Sequence, residues 1–97
     1  MAGVAVKARV LEKRKPMRTR TGRILVEVVI GDSSGVVVLT LWGRQIDLVK
    51  ENDVVVISGA FVKSFRGEPR LSLGRRGRLE VVEDPDFPTK EEILSRR

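Results

Sequence analysis

Apolar side chains recur at every second position along most of this chain. Residues 4–10 alternate apolar with small or basic side chains, residues 24–30 place an apolar side chain at every even number, and residues 36–42 are nearly all apolar. A period of two is typical of strands with one buried face, whereas a helix would require a period of 3.6. The pattern therefore predicts an all-β fold.

Glycines, prolines and polar runs divide the alternating segments into five predicted strands. Residues 31–35 are expected to form a tight hairpin connection, and residues 13–22 and 66–69 a loop and a turn. Gly59 interrupts the fourth strand and predicts a bulge or a sharp bend there. The predicted strands cover residues 4–10, 23–30, 36–42, 54–65 and 70–73, and residues 78–82 continue or follow the last of them.

Two short segments have helical signatures. Apolar residues three apart in residues 44–50 are enough for one or two helical turns. Thr89 and Glu92 have the spacing of a capping box, which predicts a short helix over residues 90–96. Five strands with a helix only between the third and the fourth predict a five-stranded Greek-key barrel of the OB-fold type. Residues 1–83 are expected to form this domain, and residues 84–97 a C-terminal extension.

The absence of histidine and cysteine limits the chemistry of this 97-residue chain. It cannot form disulfides or cysteine-based zinc sites, and it lacks the side chain most used for acid–base catalysis near neutral pH. We therefore expect no catalytic residues, no metal site and no cofactor, and a binding protein rather than an enzyme. The longest apolar run is too short to span a membrane, and no signal-peptide pattern is present. A cytoplasmic location is expected, and high charge without cysteine suits a thermophile.

The net charge of +6 is unevenly distributed. Residues 1–78 have net +9 and residues 79–97 net −3, and the basic side chains concentrate in residues 7–23 and 63–78. These clusters fall on the two loops that frame the ligand face of an OB fold, and arginine, their commonest cation, favours bidentate phosphate contacts. A merely solvated surface is the alternative. The candidate contacts to phosphates or bases are Arg14, Lys15, Arg18, Arg20, Arg23, Lys63, Arg66, Arg70, Ser72, Arg75 and Arg76.

Three of the four aromatic side chains lie on the third and fourth predicted strands. Alternation places Trp42 on the less apolar face of its strand, and Phe61 and Phe65 on one face with Lys63. A face that carries rings and a cation is a poor core and a good platform for stacking bases. Burial in the core is the alternative for each ring, and Phe87 is expected to pack the tail onto the barrel. The other face of the fourth strand is expected to be small and apolar, with Val54, Val56, Ala60 and Val62.

Residues 39–43 (LTLWG) followed by residues 59–67 (GAFVKSFRG) resemble the single-OB-fold single-stranded DNA-binding proteins of archaea, relatives of replication protein A. The hairpin at residues 31–35 and the strand at residues 71–74 match the same pattern. The resemblance implies that three aromatic side chains stack on successive bases. The second of them is often tryptophan in these proteins and is phenylalanine here. The corresponding residues of this chain are Trp42, Phe61 and Phe65.

These observations predict a protein that binds single-stranded DNA with little sequence preference, in replication, recombination or repair. One alternative keeps the fold and changes the ligand to single-stranded RNA or a tRNA loop, because stacking alone does not distinguish the two. A second alternative is a protein-interaction subunit of a replication protein A-like complex, with the C-terminal helix packed against a partner. Other replication or repair proteins are expected partners, membranes are not, and a monomer or weak oligomer is expected.

Overall fold

Strands dominate the structure, a computed structural model that describes residues 4–73 and 76–95, apart from the side chains of Val4 and Phe65. A 3₁₀ helix at Gly43–Leu48 connects two of the strands, and helix α1 at Lys90–Ser95 ends the described part. The strands are β1 (Val4–Lys13), β2 (Met17–Arg18), β3 (Ile24–Asp32), β4 (Gly35–Trp42), β5 (Val54–Phe65), β6 (Glu68–Ser72) and β7 (Arg78–Val82).

The sheet curls around one core because β1 pairs on both of its edges. It is antiparallel to β3 on one side and to β5 on the other, and the order β1-β3-β4-β6-β5 connects these two neighbours. Among the described residues, the strand pairings are antiparallel except for that of β4 with β6. The predicted all-β architecture is confirmed, with one short helix between the third and fourth long strands.

Two local predictions need correction, and a third point that the sequence left open is decided. The predicted loop at residues 13–22 contains β2, which pairs with the start of β3. Glu68 and Pro69 belong to strand β6 rather than to a turn, because their partners are the last two residues of β5. For residues 78–82, which were expected to continue or to follow the fifth predicted strand, the second possibility is observed: they form a separate strand that pairs with the first half of β5. Each of these depends on a partner strand, which local composition does not reveal.

The core consists mainly of the inward-facing residues of the long strands. Val26, Val28 and Ile30 of β3 are fully buried, as are Leu39 and Leu41 of β4. Burying an apolar side chain of this size contributes roughly 1.5–3 kcal/mol to folding. Since alternate residues point to opposite faces, the same strands direct their remaining side chains outward.

The hairpin between β3 and β4 follows the prediction. The Asp32 carboxylate accepts hydrogen bonds from the Ser34 hydroxyl at 2.5 Å and the Ser34 amide at 2.8 Å. These two bonds, the hydroxyl first, hold the pKa of Asp32 below its usual 3.8. Because folding lowers the pKa of Asp32, its ionised carboxylate stabilises the fold above pH 3.8. This stabilisation is lost as the pH falls through the lowered pKa.

Strand β5 contains the predicted bulge at Gly59. Its partner β1 pairs Val4 with Ala60 but Val6 with Ile57, so β5 has one extra residue in this interval. Gly59 has a φ of +72°, a conformation that favours glycine. The bulge also explains why Val56 was wrongly expected on the buried face of this strand together with Ala60. Counting back from Ala60 in steps of two ignores the extra residue and therefore selects the wrong side of the strand before Gly59. Val55 and Ile57 are fully buried, whereas Val56 is 36% exposed, and beyond the bulge Val62 is 56% exposed at the end of the barrel.

The segment after β7 returns to pack on β1 through two basic residues. Lys7 Nζ lies 2.5 Å from the Asp84 carboxylate, and this hydrogen bond holds the pKa of Asp84 below its usual 3.8. The Arg9 guanidinium donates to the carbonyl oxygens of Pro88 at 2.7 Å and Asn52 at 2.6 Å, and it lies 5.9 Å from the centre of the Phe87 ring. The predicted packing of Phe87 against the barrel is therefore observed.

Helix α1 begins with the predicted capping box. The Glu92 amide donates to Thr89 Oγ1 at 3.2 Å, and the Thr89 amide donates to Glu92 Oε1 at 3.1 Å. Ile93 is buried against the barrel, while Leu94 is 39% exposed. No helix in the described ranges is long and apolar enough to cross a membrane.

We expect Gly59→Ala to destabilise the protein more than Gly67→Ala. Both glycines have positive φ, and a left-handed conformation costs an alanine about 1–2 kcal/mol. A Cβ at Gly59 would also lie 2.9 Å from the carbonyl oxygen of Arg76, whereas a Cβ at Gly67 would have no neighbour within 4 Å. Urea denaturation followed by circular dichroism would measure both losses. Equal losses would contradict the steric part of this prediction.

Candidate nucleic-acid interface

The outer surface formed by β3, β4, β6 and β5 presents a continuous set of side chains. Residues that are partners on neighbouring strands share a face, so the pairing defines rows across the sheet. Trp42 extends this surface at the end of β4, with Leu25 of β3 as its partner. One row contains Glu27, Thr40, Ser72 and Phe61. The next row contains Val29, Val38, Arg70 and Lys63. We call this surface the outer face.

The strands position two aromatic rings on the outer face. Phe61 follows the bulge and is 43% exposed. Trp42 is half-buried, and its amide donates to Gln45 Oε1 at 3.0 Å, which attaches the end of β4 to the 3₁₀ helix. Phe65 has Glu68 as its partner on β6, and its side chain lies outside the described part of the structure. The two described rings thus share the face predicted from strand alternation.

A cation lies beside each of the described rings. The guanidinium carbon of Arg23 is 4.5 Å from the centre of the Trp42 ring. Lys63 Nζ is 6.0 Å from the centre of the Phe61 ring. At these distances a cation is attracted by the negative face of an aromatic ring. Each described ring on the outer face therefore has a positive charge beside it, an arrangement suited to a ligand with flat apolar groups and negative charge.

Glu27 is a residue of the outer face that the sequence analysis missed. Its carboxylate pairs with Arg70 and, at 3.2 Å, with Arg14, and only 15% of its side chain is exposed. It is the only acidic residue of β3 before the hairpin, and it alternates with buried Val26 and Val28. Alternation could therefore have predicted its position on the outer face, although not its partners.

The pairing with Glu27 changes the interpretation of two candidate phosphate contacts. Arg70 retains 22% side-chain exposure and Arg14 retains 43%. Arg14 also lies 3.4 Å from Glu12. Both guanidinium groups are therefore partly neutralised by carboxylates of the protein itself, which makes them weaker candidates for phosphate contacts.

The remaining candidates differ in accessibility. Ser72 lies in the row of Phe61 but is only 7% exposed, so little of it is available to a ligand. Arg75 lies outside the described residues. Arg66 and Arg76 are exposed in the connections that follow β5 and β6. Among the candidate cations, six are exposed and form no ion pair with a carboxylate in the described part of the chain: Lys15, Arg18, Arg20, Arg23, Lys63 and Arg76.

A groove of about 670 Å³ adjoins the outer face beneath α1. Val29, Val36 and Val38 contribute to its apolar lining. Three glutamates and two cations line it as well, so its charge is slightly negative: Glu12, Glu51, Glu68, Arg14 and Lys90. This end of the outer face is therefore less favourable for phosphates than the end that carries Arg18, Arg20 and Arg23.

Comparison with known proteins agrees with this geometry. Residues 2–81 match the family described as single-stranded DNA binding protein Ssb-like, OB fold. The chain belongs to this family. The predicted OB fold is thereby confirmed, and the ring-bearing strands β4 and β5 both lie within the matched region.

Individual relatives support the assignment. The chain is 34% identical over 96 residues to the single-stranded DNA binding protein Ssb of Saccharolobus solfataricus, an alignment that covers 96% of this chain and 65% of that protein. A replication factor A related protein from Methanobacterium thermoautotrophicum has a similar structure, with a TM-score of 0.69, 28% identity and coverage of 84% of this chain and 82% of that one.

A hypothetical protein from Arabidopsis thaliana is also similar in structure. Its TM-score is 0.72 at 26% identity, with coverage of 91% of this chain and 70% of that one. The chain therefore spans only part of the length of several proteins it resembles. The fold is shared over most of this chain's own length.

We expect Glu27→Gln to lower the free energy of unfolding by about 1–3 kcal/mol, because two arginines would lose their charged acceptor in a half-buried position. Glu12→Gln is the matched control: Glu12 also pairs with Arg14, but its side chain is 55% exposed. An exposed pair contributes about 0–1 kcal/mol, so the control should change little. Urea denaturation followed by circular dichroism compares them. A loss for Glu12→Gln as large as that for Glu27→Gln would be inconsistent with this interpretation.

Proposed function

We propose that this chain binds single-stranded DNA with little sequence preference. Bases stack on Trp42 and Phe61, and nearby cations contact the phosphates. The single observation that carries this proposal is the outer face itself, where two rings and their cations lie on neighbouring strands of an Ssb-like OB fold. Base–aromatic stacking tolerates sequence variation because every base has a π-face. Phe65 stays a prediction as the third ring.

Duplex DNA should bind less well than single strands. Its bases are already stacked and paired, so they reach the rings only after the duplex opens. Single-stranded RNA is the alternative ligand, since a contact to the 2′-hydroxyl is what distinguishes RNA from DNA. Competition between DNA and RNA oligonucleotides of matched sequence would decide between them. The proposal includes binding without cleavage, which an assay with magnesium and labelled single strands would test.

The alternative role as a protein-interaction subunit receives less support from the C-terminal helix. Of its two apolar side chains, Ile93 is buried against the chain's own barrel and only Leu94 is exposed. A helix with so narrow an apolar surface is poorly suited to a helical bundle. Replication or repair partners, a monomeric or weakly oligomeric state and a cytoplasmic location stay predictions, as does a thermophilic source.

We expect Phe61→Leu to weaken binding to single-stranded DNA while leaving the fold intact. Leucine keeps an apolar side chain but removes the flat ring, and a stacked base contributes about 1–3 kcal/mol. Phe87→Leu is the matched control, because Phe87 packs beside Lys7 and Arg9 rather than on the outer face. Fluorescence anisotropy of a labelled oligothymidylate measures both. Wild-type affinity in Phe61→Leu would exclude a stacking role for this ring.

We also expect affinity to fall with salt at a moderate slope. The main candidates for phosphate contacts are four cations that are exposed and form no ion pair within the described ranges: Lys15, Arg18, Arg20 and Lys63. Each phosphate neutralised on a single strand contributes about −0.7 to the slope of log K against log salt concentration, so four predict a slope of about −3. Titrations at several salt concentrations measure this slope. A slope near zero would show that phosphates contribute little to binding.

A further inference from the structure

We propose that Arg23 acts as a stacking partner, so that one base inserts between its guanidinium group and the indole ring of Trp42. This inference rests on the proposed function and assigns Arg23 a role different from that of a phosphate contact. It predicts a binding position with an aromatic ring on one side of the base and a planar cation on the other.

The geometry of the free protein already resembles one half of this arrangement. The Arg23 guanidinium carbon lies 4.5 Å from the centre of the Trp42 ring, the shortest cation–ring distance in the described ranges. The guanidinium group therefore occupies the space over the indole where a base would stack. A base that stacks on this side of Trp42 must either displace Arg23 or enter beneath it.

The backbone of Arg23 is held in place by the turn that precedes β3. Its amide donates to Thr19 Oγ1 at 3.2 Å, and its carbonyl oxygen accepts from the Thr19 amide at 2.8 Å. Gly22, at φ +82°, allows the chain to make this turn. Because the Cα position is constrained, Arg23 remains beside Trp42 when its side chain moves.

The side chain of Arg23, in contrast, has room to move. It is exposed and forms no ion pair with a carboxylate in the described part of the chain. Arg14 and Arg70, on the same side of the sheet, are held by Glu27. Arg23 can therefore rise by the thickness of one base without breaking an ion pair, and then cover the base that has entered.

The chemistry of the guanidinium group favours stacking over simple charge pairing here. It is planar and weakly hydrated, and it stacks on flat rings and on nucleobases, whereas the ammonium group of lysine is a compact and strongly hydrated point charge. A lysine at position 23 would therefore keep the charge and lose the stacking plane. This difference separates the two roles experimentally.

The test compares Arg23→Lys and Arg23→Ala in the full chain, with a labelled oligothymidylate of about 12 nucleotides as the probe. If Arg23 stacks, both variants should weaken binding by a similar factor, about three- to tenfold. The salt slope of Arg23→Lys should remain that of the wild type, because the charge is retained. Circular dichroism establishes that each variant is folded.

Arg20 provides the matched control. It lies in the same turn, is exposed, and contacts no ring in the described ranges. If Arg20 contacts a phosphate, Arg20→Lys should bind like the wild type, whereas Arg20→Ala should bind more weakly with a slope that is smaller by about 0.7.

A double-mutant cycle with Trp42→Leu tests whether Arg23 acts through the ring. In the Trp42→Leu background, Arg23→Lys should cause no further loss of affinity. Wild-type binding by Arg23→Lys would overturn the inference, as would a full additional loss in the Trp42→Leu background or tighter binding by Arg23→Ala. These outcomes leave the proposed function intact. Wild-type affinity in both Trp42→Leu and Phe61→Leu would instead overturn the proposed function.

Discussion

The bulge at Gly59 determines which side chains of β5 face solvent, and the candidate interface depends on it. Before the bulge Val55 and Ile57 point into the core, and after it Phe61 and Lys63 point outward. An uninterrupted strand would place Phe61 on the same side as Val55 and Ile57, since these positions differ by even numbers. A backbone conformation that favours glycine therefore directs a large ring toward solvent.

The positive charge that the outer face offers to a ligand depends on which cations already form ion pairs, and not only on how many cations there are. Glu27 lies between Arg14 and Arg70, and on the other side of the barrel Lys7 and Arg9 hold the C-terminal segment. The net charge of the clusters therefore overstates the cations available to a ligand. The exposed cations that form no ion pair in the described ranges concentrate in the connection between β1 and β3. This connection lies away from the glutamate-lined groove under α1.

Much of the fold could be predicted because its signals are local. The hairpin at Asp32, the capping box of Thr89 and the bulge at Gly59 each depend on a few neighbouring residues. The predicted face of Val56 is wrong because alternation was extended across the bulge, whereas Val54 is buried as predicted. Strand β2 and the extension of β6 over Pro69 could not be predicted, because each depends on backbone pairing with a neighbouring strand and neither segment has an alternating apolar pattern of its own.

Local patterns in the chain predict the long strands, the hairpin at Asp32 and the face on which Trp42 and Phe61 lie, since a two-residue period and glycine conformations act within one strand. Which charges meet depends on the tertiary structure. Arg70 reaches Glu27 across 43 residues of sequence, and Arg9 reaches Pro88 across 79. Such pairs form because the curled sheet brings distant strands together, and no local pattern encodes that proximity. The same holds for Arg23 over Trp42, on which the inferred base position depends.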